Sequence, residues 1–242
     1  AGERFALYSS LIFNLAHSGK EEEVQKVLER AQSELGDLDP DEMKALRVDA
    51  LTQIEDYDKA ISLVREQIDS DPENPDLYYT LGGVLNEAGR IDDADRALRR
   101  ALELIPDPPR TEENIDLRAT VLNHLGYMYA EEGIKLQEAE QLLQQALELA
   151  PRAGFIVDSM GWAQFKLGDF QEALRLLKKA IEYSSEDPVL YEHLGDVYAK
   201  LGDKTQALEC YQQALRLDPS LEKIRLKVEE LSGHSQRQSP NP

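Results

Sequence analysis

The stretch that decides the fold is Pro188-Val189-Leu190-Tyr191-Glu192-His193-Leu194-Gly195-Asp196-Val197-Tyr198, followed by Leu201-Gly202-Asp203, Ala207, Tyr211, Ala214 and Pro219. Its apolar residues recur every three or four positions on either side of Gly202, the period of two helices joined by a short turn. Gly195 lets the first helix approach the second closely. Ala207 and Ala214 serve the same approach from the other side. Pro219 ends the second helix, because it has no N–H to continue the ladder.

The same register recurs upstream. Residues 154–187 carry Met160-Gly161, Ala173, Leu177 and Ala180. Residues 119–153 carry Leu125-Gly126, Tyr129, Ala139, Leu143, Ala146 and Pro151. Residues 75–108 carry Tyr78, Leu81-Gly82, Leu85, Ala94, Leu98, Ala101 and Pro106. Residues 41–74 keep Leu51, Ala60, Val64 and Pro72, and residues 5–38 keep Ile12, Gly19, Val24, Leu28 and Ala31. This unit resembles the tetratricopeptide repeat, with Tyr where that motif has Trp and Phe. The resemblance implies an all-α, right-handed superhelical solenoid of six helix-turn-helix repeats over residues 1–232. A lone unit cannot bury its apolar face, so neighbours must stack.

Two features break the regularity. The turn Gly133-Ile134-Lys135-Leu136 is one residue longer than its counterparts, and residues 109–118 are inserted before the fourth unit. Thr111 followed by Glu112-Glu113-Asn114 reads as a helix cap, so the insertion is expected to lengthen the next helix. Residues 220–232 read as a capping helix with Glu222, Lys223, Arg225, Lys227, Glu229 and Glu230 on its outer face. Residues 233–242, rich in Gly, Ser, Gln, Pro and Asn, are expected to be disordered. At the other end Phe5, Tyr8, Leu11, Ile12 and Phe13 spread over more than one helix face, which implies self-association or a missing upstream repeat. The chain begins Ala1-Gly2-Glu3-Arg4 and reads as a processed form or a piece cut from something longer.

Composition narrows function. A net charge of −20 repels phosphate backbones and argues against nucleic acid. It steers basic partners towards the chain, or is simply a solvated surface. One cysteine, Cys210, permits no internal disulfide. No apolar run approaches the roughly 20 residues of a membrane span. His124 and His193 occupy matching positions two repeats apart, too far to share a metal, and no Gly-rich phosphate loop is present. No catalytic residues, cofactor, metal or small-molecule substrate are expected.

Function is therefore sought on surfaces. In the tetratricopeptide fold the first helix of each repeat lines the concave side. Read in this register, that face carries Tyr79, Asn123, Tyr127, Phe155, Asp158, Trp162, Phe165, Glu192 and Asp196. Trp162, the single tryptophan, stands at the ninth position while Val157 holds the core position; it is either a partly exposed anchor or packs with Phe165 against the next repeat. Asn123 has a donor and an acceptor to offer an extended backbone. No three consecutive units supply the Lys/Asn/Arg set with which chaperone-binding members clamp a C-terminal carboxylate.

Leu122-Asn123-His124-Leu125-Gly126-Tyr127, the longer turn through Ala139, and Asp158-Ser159-Met160-Gly161-Trp162 are similar to LbcA-type outer-membrane lipoproteins. These are adaptors of periplasmic carboxyl-terminal processing proteases. The resemblance covers residues 119–185 well and the rest loosely. It implies a non-catalytic adaptor that binds and activates such a protease and delivers its substrates. It also implies a periplasmic location, anchored to the outer membrane through an N-terminal lipid that this sequence lacks. A scaffold for envelope or secretion-complex assembly is the alternative function, and the cytoplasm the alternative location.

Overall fold

A computed structural model describes residues 2–34 and 40–236; at residues 2–5, 17, 21, 40–41 and 234–236 it describes backbone only. The side chain of Phe5 and residues 237–242 thus lie outside the described residues. Thirteen helices and no strands are present among them. The chain divides into two compact units, residues 1–106 and 107–242.

The first unit contains α1 (Gly2–His17), α2 (Glu21–Glu34), α3 (Pro40–Gln53), α4 (Tyr57–Ser70), α5 (Pro75–Glu87) and α6 (Ile91–Leu104). The second contains α7 (Glu112–Glu131), α8 (Leu136–Leu149), α9 (Gly154–Leu167), α10 (Phe170–Tyr183), α11 (Pro188–Leu201), α12 (Lys204–Leu217) and α13 (Glu222–Gln236). The helices pair in sequence order, α1 with α2 through α11 with α12, and α13 packs on α12.

Local chemistry explains the boundaries. Asn74 and Asp187 cap α5 and α11 by accepting from the N–H of Asp76 and Val189, and a proline follows each cap. Asp169 and Asp203 cap α10 and α12 in the same way. The turn between paired helices needs one residue in the left-handed region. Gly19, Gly89, Gly133, Gly168 and Gly202 supply it, but the α3–α4 turn uses Glu55 at φ 59°. In the longer α7–α8 turn Lys135 is left-handed as well, at φ 46°.

Packing within four of the pairs, α5–α6, α7–α8, α9–α10 and α11–α12, runs through one glycine. A methyl group on Gly82 would come within 2.6 Å of Leu98, on Gly126 within 2.7 Å of Leu143, and on Gly161 within 2.9 Å of Leu177. On Gly195 it would collide with the Tyr211 ring. Tyr78 and Tyr191 donate to the carbonyls of Pro72 and Ser185, both at 3.1 Å, tying α5 and α11 to the turns before them. The core of the first unit gathers Tyr8, Ile12, Val24, Leu28, Leu46 and Ala50. That of the second runs from Leu177 through Leu194, Val197 and Tyr211 to Ile224 of α13.

At the insertion, Thr111 Oγ1 accepts from the N–H of Asn114 and α7 runs for 20 residues against 14 in α9 and α11. Two expectations are corrected. The stretch 233–242 is not irregular throughout, since α13 continues to Gln236; extending a formed helix adds one bond for each residue fixed. Tyr8 and Ile12 do not belong to an exposed face: they are 7% and 2% exposed, because α2 and α3 pack over them. Leu7, Leu11 and Phe13 are the exposed apolar residues of α1.

Candidate functional site

In the second unit α9, α11 and α13 meet in turn through a recurring contact. A side chain at the sixth position of one helix reaches back to the fifth and ninth positions of the helix before it. His193 on α11 does this to Asp158 and Trp162 on α9. Its Nδ1 lies 2.9 and 3.1 Å from the two Asp158 oxygens, and its ring stacks on Trp162 at 4.2 Å between centroids. Lys227 on α13 does it to Glu192 and Asp196 on α11, donating at 2.8 Å to Glu192 and at 2.7 and 2.8 Å to Asp196. Asp196 also accepts from the Tyr211 hydroxyl at 2.6 Å.

The third such contact is missing. Allowing for the extra residue in the α7–α8 turn, Ser159 stands beyond Asn123 and Tyr127 as His193 stands beyond Asp158 and Trp162. Its hydroxyl is short and donates instead to the carbonyl of Phe155 at 2.9 Å, within α9. Asn123 Oδ1 is left buried without a hydrogen bond, although the side chain as a whole is only partly buried. Tyr127 is half-buried beside it, its ring 6.2 Å from that of His193. Phe155 is 48% exposed.

Trp162 is a packed residue, 7% exposed. It is stacked between Phe165, at 4.8 Å, and His193, and Phe165 packs in turn on Phe170. Its indole N–H donates to Glu131 Oε2 at 2.6 Å, and Lys166 lies 4.9 Å over its ring while donating to the Glu131 carbonyl. Of the two readings of Trp162, the packed one is correct: α9 is flanked on both sides, so residues on nearly its whole circumference are buried.

Electrostatics follow this geometry. Burial alone would lower the pKa of His193. The charge and hydrogen bond of Asp158, with Glu192 and Asp196 behind it, outweigh burial and hold it above its ordinary value. Burial, and then the carboxylates of Glu131, Asp158, Glu192 and Asp187, push the Tyr127 phenol well up, so it stays a neutral hydrogen-bonding group. Lys227 is a further correction. It was expected on the outer face of the capping helix, but it points inward, because the two acidic groups of α11 recover there the ion pairing that burial takes from water. Tyr79 lies in the first unit, half-buried, with its phenol pKa raised by burial.

The structure thus brings Asn123, Tyr127, Phe155, Asp158, Trp162 and Phe165 onto α7 and α9, and occupies Glu192 and Asp196 with Lys227. Sequence reading missed Glu131, Lys166 and Lys227. The signal was present for Lys227: a cation one repeat beyond an acidic pair, in register with it. Among the described residues no group of His, Cys, Asp and Glu is placed to hold a metal, and no helix is long and apolar enough to cross a membrane.

Comparison with known proteins agrees with this repeat architecture. Models of the tetratricopeptide repeat match residues 51–111, 118–152 and 159–222, well over half the chain together. The chain is 27% identical over 154 residues to the TPR repeat-containing protein PA4667 of Pseudomonas aeruginosa; the match takes in 64% of this chain and 24% of that protein, about a quarter of its length. Among solved structures it is similar to the APC/C hetero-tetramer Cut9-Hcn1, with TM-score 0.70 and 17% identity over 95% of this chain and 43% of that one. It is also similar to PilW, a type IV pilus biogenesis factor, with TM-score 0.65 and 18% identity over 80% and 86% of the two chains. Three matched segments, on successive pairs of helices, establish that the chain belongs to the tetratricopeptide repeat family.

Proposed function

We propose that this chain is a non-catalytic protein-binding adaptor that takes up a partner segment at Asn123, Tyr127 and Phe155. Asn123 Oδ1 carries the reading. A buried carbonyl oxygen without a donor costs about 1–3 kcal/mol. The torsion of the terminal amide is soft, so a partner backbone can turn the amide and pair with both its oxygen and its nitrogen, relieving that cost. Tyr127, one turn along α7, and the exposed ring of Phe155, on the neighbouring α9, supply the aromatic area that interfaces use.

The partner we propose is a periplasmic carboxyl-terminal processing protease, to which the adaptor brings substrates while a lipid anchor holds it at the outer membrane. What supports this is the LbcA-type resemblance, whose residues Asn123, Tyr127, Asp158 and Trp162 are the ones that form or leave open the contacts between α7, α9 and α11. The decisive experiment adds the purified chain to the processing protease of the same organism and follows cleavage of a casein reporter. Acceleration whose half-maximal concentration Asn123→Ala raises about tenfold, without a lower melting temperature, is the expected result. Binding without acceleration leaves only the scaffold role, and no capture of the protease removes the adaptor reading.

A further inference from the structure

The acidic positions lining the first helices are not treated alike in the two units. In the second unit each has an internal partner: Asp158 has His193, and Asp196 has Lys227. In the first unit Asp49 of α3 occupies the ninth position of its helix, as Asp196 does of α11. Thr80 of α5 stands as far beyond Asp49 as Lys227 stands beyond Asp196, but Thr80 brings no cation. Its hydroxyl donates to the carbonyl of Asp76 on its own helix, at 2.9 Å.

Asp49 also lines a depression of about 310 Å³ between α1 and α3, with Ser9, Ile12, Phe13, Leu46 and Gln53 around it. That volume lies at the small end of ligand sites. Asp49 is exposed, so its carboxylate stands at the open side of this depression, within reach of solvent. Ser9 Oγ is buried in the same wall with no hydrogen-bond partner. Desolvation raises the Asp49 pKa, and among the described residues no cation is set against it.

We infer that the depression between α1 and α3 receives a lysine or arginine side chain of a partner, with Asp49 as its countercharge. Ile12, Phe13 and Leu46 offer an apolar wall to the methylene stem, while Asp49, Ser9 and Gln53 offer acceptors to the charged end. Lys227 over Asp196 is the internal template: the same acidic position, filled by this chain's own lysine in one unit and left for a partner's in the other. The net charge of −20 steers a basic segment to it. This site is separate from Asn123, so its failure leaves the adaptor reading untouched.

The test uses the full chain, labelled with ¹⁵N, and two probes: the peptide acetyl-Gly-Leu-Lys-Leu-Gly-amide and its counterpart with norleucine in place of lysine. The lysyl peptide is expected to bind about fivefold or more tightly at low salt, to shift the amides of α1 and α3, and to lose that preference near 1 M salt. Asp49→Asn abolishes the preference without lowering the melting temperature, since it removes a carboxylate that has no partner among the described residues. Thr80→Lys, which puts a lysine where α13 puts Lys227, abolishes it too. Asn123→Ala leaves it intact. A lysine preference that survives Asp49→Asn, or peptide shifts confined to other helices, or no binding by the lysyl peptide, overturns the proposal.

Discussion

Gly195→Ala is the sharpest test of the packing register. A Cβ at this position would sit 2.6 Å from Tyr211 Cδ1 and 3.1 Å from Cζ, with Cε1 nearer still. The ring has nowhere to go: Tyr211 is 2% exposed, and its hydroxyl is held at 2.6 Å by Asp196, which Lys227 holds in turn. Overpacking of this kind costs about 1–3 kcal/mol. If the ring slides outward it also gives up a hydrogen bond to a charged acceptor, about 1.5–3 kcal/mol. Alanine returns about 1 kcal/mol in helix propensity. The net expectation is a loss of about 2–4 kcal/mol. Trp162, the only tryptophan, stacks on His193 two residues from Gly195, so its fluorescence during urea unfolding reports on this part of the chain. Repeating the substitution in a Tyr211→Phe background separates the two effects: the cost should fall to the packing share less the propensity gain, about 0–2 kcal/mol. A Gly195→Ala variant within about 0.5 kcal/mol of the parent would mean that α11 and α12 do not meet through this glycine, and the register would fail with it.

Trp162→Ala is expected to cost about 3–5 kcal/mol in urea unfolding, since it empties a slot between Phe165 and His193 and strips Glu131 of its donor; a near-neutral result would show the indole to be an exposed anchor. The His193–Asp158 pair gives a pH signature. A histidine whose folded pKa is raised contributes stability that is complete below its unfolded pKa, about 6.5, and is lost as pH rises through the folded value. Burial lowers the pKa of His124, which acts in the opposite sense, so the measurement is the difference in melting temperature between the parent and His193→Gln. That difference should shrink from about pH 6.5 upward, and a constant difference refutes it. Glu55→Gly relieves a left-handed non-glycine residue and is expected to stabilise the first unit by about 0.5–1 kcal/mol, read by thermal melting in circular dichroism; a loss of stability would mean that Glu55 makes a contact worth more than its strain.

The helical repeat was legible because it rests on residues whose chemistry is local. Gly82, Gly126, Gly161 and Gly195 mark close approach in any helix pair, and Asn74, Asp169, Asp187 and Asp203 cap whatever helix follows them. Exposure was less legible because it depends on what the neighbouring repeat contributes. Trp162 stands at a groove position by its number, but its burial is decided by His193 and Glu131, each about a repeat away. Tyr8 and Ile12 likewise form part of a broad apolar stripe in sequence, and only the packing of α2 and α3 separates them from exposed Leu7 and Leu11.

That dependence has a usable form. Whether a groove position is open is settled by one residue, the sixth of the next first helix. A long cation or imidazole there, as in Lys227 and His193, closes the position before it. A short hydroxyl that bonds its own helix, as in Ser159 and Thr80, leaves it open. The open positions at Asn123 in the second unit and Asp49 in the first differ in chemistry, a neutral amide and a carboxylate, so one calls for an extended backbone and the other for a basic side chain. Converting Ser159 or Thr80 to a longer donor should therefore silence one interaction without the other, which no model of a uniformly acidic, merely solvated surface would predict.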